Sequence, residues 1–117
     1  MQFSVINKHA YPHPLPGRVR VYIGRPSVLG NPFQIGRDGD RDQVIAKFKV
    51  YLDGRIKNND PVMMPELRRI VALSRKHLVE LACFCKPAAC HGDHLREALI
   101  ALSHEPFEMP EEMTDEV

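Results

Sequence analysis

All three cysteines of the chain, Cys83, Cys85 and Cys90, fall in one stretch with His91, Asp93 and His94. Several chemistries suit such a cluster. Cys90 beside His91, at the expected start of a helix, has the surroundings that lower a thiol pKa and make it a nucleophile. The same helix start, His91-Gly92-Asp93, would expose backbone N–H groups and a positive dipole end to a phosphate. Asp93 complicates that reading because a carboxylate repels phosphate. It is a candidate general base, an acceptor for ribose hydroxyls, or a helix cap. Zinc is the alternative, with Cys83, Cys85, Cys90 and His91 or His94 as ligands. Cys-x-Cys on a strand spreads its sulfurs by about 6.6 Å, wide for one ion, so no metal is favoured.

Cys90 and Arg96 also have the Cys-x5-Arg spacing of tyrosine-phosphatase-like enzymes. The match is discounted: in those enzymes the cysteine closes its strand directly, whereas here Asp93 would occupy the phosphate cradle and Arg96 falls within a helix. A second segment, Gly24-Arg-Pro-Ser-Val-Leu-Gly-Asn-Pro-Phe33, sets two glycines, two prolines and an asparagine around one arginine. Arg25 suits bidentate anion contacts and Asn31 suits an amide or hydroxyl, with Gly24, Ser27, Gly30, Phe33 and Gly92 shaping the pocket. Taken singly, Arg25 and Asn31 read as loop braces, Asp93 as a cap and Cys90 as a small packed hydrophobe. Their convergence on one site is what favours a functional reading.

The elements that must position these loops follow from periodicity. Phe3 and Val5 mark a short first strand. Three alternating prolines in Tyr11–Gly17 then make an extended connector. Val19, Val21 and Ile23 alternate with Arg18, Arg20 and Tyr22 in the clearest strand. Val44, Ile45, Phe48, Tyr51, Leu52 and Ile56 recur at helical spacing, which predicts a helix over 41–56 capped by Asp40 or Asp42. Pro65 opens a second helix with Leu67, Ile70, Val71 and Ser74 facing inward. Leu78–Cys85 reads as a buried, central strand, and Leu95, Ala98, Leu99 and Leu102 mark a last helix near 92–104. The order predicts an α/β fold: a small single-domain sheet, mixed but with parallel central strands, flanked by about three helices. Ligands of parallel sheets gather outside the carboxyl ends of the strands, where both loops would then meet.

At 117 residues and 44% hydrophobic composition the chain supports one domain, placed at 1–104, with an acidic tail at 105–117. Six acidic residues of that tail leave 16 basic against 9 acidic residues before it, a body of about +7. The charge is dispersed and no basic stripe interleaves with aromatics, so nucleic acid is not the favoured partner. No apolar run reaches the ~20 residues of a membrane span and no secretory leader is evident, so the expected location is the cytoplasm.

Tyr22-Ile-Gly-Arg-Pro-Ser-Val-Leu-Gly-Asn-Pro-Phe33, together with Leu81-Ala-Cys-Phe-Cys85 and Cys90-His-Gly-Asp93, resembles domain-of-unknown-function family 4326, small proteins of bacteria and their phages. The resemblance spans about 18–103 and implies a small α/β unit. It leaves the proline-rich segment outside the core and implies no reaction. The residues predict a pocket between the two loops for a nucleotide or sugar-phosphate ligand, with a nucleotide-directed hydrolase or N-glycosidase-like activity from Asp93, Cys90 and His91. The competing expectation is a non-enzymatic module, zinc-stabilised or phage-type and host-directed, that binds protein or nucleic acid.

Overall fold

Period-two patterning places Phe3, Val5, Val19, Val21, Val79 and Leu81 on one face of a three-stranded sheet. Its strands are β1 (Phe3–Asn7), β2 (Arg18–Tyr22) and β3 (Leu78–Cys83). The computed structural model describes residues 2–84, 88 and 90–105, so the expectations for Cys85 and for tail residues 106–117 lie outside the described residues. Strand order is β1-β3-β2 with both pairings parallel. β3 is therefore central, as its apolar run implies. The expected mixed sheet is instead wholly parallel among the described strands. The proline-rich connector carries the chain from one side of β3 to the other, so β1 and β2 can both run with it.

Three helices cover the apolar face. α1 (Arg41–Lys57) starts with a full capping box: Asp40 accepts from the Gln43 N–H at 2.8 Å, and Gln43 Oε1 accepts from the Asp40 N–H at 2.8 Å. α2 (Met63–Ser74) carries Pro65 in its first turn, while Asp60 accepts from the Met63 N–H at 2.8 Å. α3 (Gly92–Ser103) follows the β3 loop. Leu67, Ile70, Val71 and Ser74 all face inward, and the core joins Phe3, Phe48, Leu52, Leu81, Leu95 and Leu99. No helix among the described residues is long and apolar enough to cross a membrane.

The opposite face is not a solvated one. Glu80, in the middle of β3, is 0% exposed and pairs with Arg20 of β2 at 2.9 Å. Arg20 also donates to the carbonyls of Tyr11 at 2.6 Å and His13 at 3.0 Å, and the Leu15 N–H donates to Glu80 at 3.3 Å. The proline segment, which cannot offer its own ladder hydrogen bonds, is thus held across the sheet by a buried ion pair. Removing one partner of such a pair costs about 3–5 kcal/mol, because the other charge is left buried and unpaired.

Candidate functional site

A parallel sheet delivers all its carboxyl ends to one edge, and there the segments after β1, β2 and β3 meet. The β2 loop ties itself together. The Ser27 N–H donates to Gly24 O at 2.8 Å, the Gly30 N–H to Ser27 O at 2.9 Å and the Leu29 N–H to Ser27 Oγ at 3.1 Å. Arg25–Pro26 is cis. A Cβ on Gly30 would lie 2.9 Å from Arg25 N and 3.0 Å from Gly24 C, so backbone closure itself requires glycine here. Tyr22 Oη donates to Arg25 O at 2.9 Å and anchors the turn to the strand. Asn31 is a brace: its amide donates to Val44 O at 3.1 Å and its carbonyl accepts from the Phe33 N–H at 2.9 Å. Arg25 is exposed and has no carboxylate partner among the described residues.

At the other segment the thiol and the imidazole face each other. Cys90 Sγ lies 3.6 Å from His91 Nδ1 and accepts from the Gly92 N–H at 3.3 Å. His91 Nε2 is 2.8 Å from Ile23 O, and a carbonyl only accepts. Nε2 therefore carries the proton in neutral His91, which leaves Nδ1 as an acceptor toward the thiol. Phe48 packs edge-on to the ring at 4.9 Å. Burial pushes the His91 pKa below its ordinary value. The bond to the Ile23 carbonyl and the nearby Leu29 carbonyl oppose that shift, Arg25 adds to it, and Asp93 opposes it.

A cavity of about 330 Å³ opens between the two segments. Gly24, Arg25, Asn31 and Phe33 line it from the first loop and Cys83, Cys90 and His91 from the other side; Tyr22, Arg41 and Phe84 also line it, with Ile35, Val44 and Ile45 as an apolar flank. Arg41, the first residue of α1, along with Tyr22 and Phe84, escaped the sequence reading. Their strand and helix positions identify them only once the parallel order is known.

Four expected residues do not line the cavity. Ser27 and Gly30 shape the loop behind it. Gly92 packs the helix start onto the sheet, where a Cβ would come 2.7 Å from Ile23 Cδ1 and 2.9 Å from Val5 Cγ1. Asp93 sits half-buried in the first turn of α3 and reaches the site through its charge on His91. The expected phosphate cradle at this helix start is also occupied from within. The Gly92 N–H goes to Cys90 Sγ, the Asp93 N–H to Cys90 O at 3.1 Å and the His94 N–H to His91 O at 3.1 Å. Arg96 donates to Phe3 O at 2.9 Å, away from Cys90, which agrees with discounting the phosphatase-like spacing. Among the described residues no group of three His, Cys, Asp or Glu side chains is placed to hold a metal, and Cys85 lies outside them.

The family model described as Domain of unknown function (DUF4326) matches residues 6–101. The chain belongs to this family. The DUF4326 match takes in the proline-rich segment, in keeping with the way Arg20 and Glu80 bind that segment into the fold. It also spans both segments of the cavity. No curated protein and no solved structure matches the chain.

Proposed function

We propose that the cavity binds a nucleotide or related phosphorylated small molecule, and that Cys90 and His91 supply hydrolytic chemistry on it. One observation carries the reading. A guanidinium that is exposed and has no carboxylate partner among the described residues, Arg25, shares a 330 Å³ space with a buried thiol–imidazole pair whose tautomer is set by Ile23 O. The volume falls at the small end of ligand sites, which suits one compact metabolite. With the backbone donors of α3 engaged, anion affinity comes from Arg25, whose side chain offers bidentate phosphate contacts, while Arg41 adds positive charge to the cavity wall. His91 Nδ1 takes the Cys90 proton, and the Gly92 N–H stabilises the thiolate that results. Asp93 steadies the imidazolium through its charge.

A thermal-shift screen with nucleotides, ADP-ribose and sugar phosphates tests the binding step. At a hundredfold excess over Kd a ligand stabilises by about 2.7 kcal/mol, a rise in Tm of several degrees for a domain of this size. The expected result is such a rise with at least one phosphorylated compound, cut to about half or less in Arg25→Ala. Absence of any rise, in protein shown by metal analysis to hold no zinc, would favour an interaction module instead.

A further inference from the structure

Phe84 is the first residue beyond β3, and its side chain is 46% exposed. No core packing explains a phenyl ring at that position. Its neighbours come from the ends of the other two strands. The Tyr22 ring lies 5.9 Å away at 63°, His9 lies 4.7 Å away at 41°, and Lys8 Nζ is 5.9 Å from the Phe84 centroid and 5.2 Å from that of Tyr22. Tyr22 is itself fixed by its hydroxyl bond to Arg25 O. All three strand ends thus build one aromatic wall, edged by an ammonium group. Tyr22 and Phe84 line the same cavity as Arg25 and Arg41.

We propose that this wall is a stacking platform for a planar heteroaromatic base, with Phe84 its principal surface, so that the ligand is a mononucleotide rather than a bare sugar phosphate. The inference rests on the phosphate-binding reading above and narrows it. Aromatic wall and guanidinium groups bound a space of about 330 Å³, at the small end of ligand sites. That accommodates one nucleoside monophosphate, with its base on the rings and its phosphate on the cations. Stacking accepts any base, because each has a π face. The Asn31 carboxamide is bonded to Phe33 N and Val44 O, so discrimination among bases rests on shape.

Titration calorimetry of the full chain with the four nucleoside monophosphates, ribose 5-phosphate and inorganic phosphate tests the platform. At least one monophosphate should bind about tenfold or more tightly than ribose 5-phosphate. Phe84→Leu, which keeps apolar bulk but removes the π face, should lower that affinity about tenfold and leave ribose 5-phosphate binding unchanged. Phe84→Tyr should retain the affinity. The unliganded Tm of both variants should stay near that of the parent, since the ring lies outside the core. Equal binding of ribose 5-phosphate and the monophosphates, or full affinity in Phe84→Leu, would overturn the platform while leaving the phosphate site standing. Failure of every phosphorylated compound to bind the parent chain would overturn both.

Discussion

Between Gly24 and Phe33 the chain is shaped by bonds to itself, with Ser27, Asn31 and Tyr22 closing successive turns so that Arg25 is left pointing into water. Between Cys90 and Asp93 the order is reversed. Burial against Ile23, Val5 and Phe48 sets the geometry, and the polar atoms are turned on each other: thiol to imidazole, N–H to sulfur. The first segment is a rigid frame that displays a cation. The second is a packed helix start that buries a thiol beside an imidazole. Under the proposed function, ligand affinity and chemistry fall to different segments, and lesions in the two should fail differently.

The largest difference should come from the glycines. Alanine at Gly30 meets only backbone, Arg25 N at 2.9 Å and Arg25 Cα at 3.0 Å, which cannot move without opening the loop. Alanine at Gly92 meets the methyl ends of Ile23 and Val5, which can turn aside. Gly30→Ala should therefore cost about 3 kcal/mol and Gly92→Ala about 1–2 kcal/mol in urea unfolding, within the range for overpacking. The opposite ranking would mean that the loop is the softer of the two.

Much of this frame was legible in the sequence, and the reasons are particular. Val19, Val21 and Ile23 announced β2 by alternation, and Leu67, Ile70, Val71 and Ser74 announced the inward face of α2, because burial on one side leaves a period. The strap over the sheet was not legible. Arg20 alternates with valines as a surface residue would, and Glu80 is a single carboxylate in an apolar run. Only the parallel register, which sets Arg20 beside Glu80, reveals a buried pair. Phe84 escaped for a similar reason: continuing β3 into it made it a strand residue, whereas the strand ends at Cys83 and leaves its ring at the cavity rim. The phosphate cradle expected at α3 is absent for a reason invisible in sequence: a neighbouring thiol takes the first N–H.

A second contrast separates the two side chains that the proposed function charges with binding and with chemistry. Arg25→Ala should weaken binding of a phosphorylated ligand about tenfold or more, the worth of a charge-assisted hydrogen bond, with Tm unchanged because no described carboxylate depends on it. Cys90→Ser should leave that affinity within about threefold and abolish turnover, since a hydroxyl still accepts the Gly92 N–H but is a far weaker nucleophile. Calorimetry and a product assay on the same preparations separate the two. Loss of affinity in Cys90→Ser with none in Arg25→Ala would reverse the assignment of roles.

The smallest effect is also the most specific to the buried segment. His91 is 7% exposed, and desolvation holds its pKa below the ordinary value of about 6.5. In the unfolded chain this imidazole takes up a proton as pH falls through about 6.5, whereas in the folded chain it stays neutral to a lower pH. Below that point the unfolded state binds more protons, so its contribution to stability is complete above pH 6.5 and is lost as pH falls toward the folded value. Urea unfolding from pH 7.5 to 5.5 should show stability declining over that interval. His91→Gln can still donate to Ile23 O but cannot titrate, so it should reduce the decline even if it lowers stability throughout. An unchanged slope in His91→Gln would show that the imidazole is already solvated in the folded chain. The second segment would then resemble the first, a display of polar groups to water rather than a protected base.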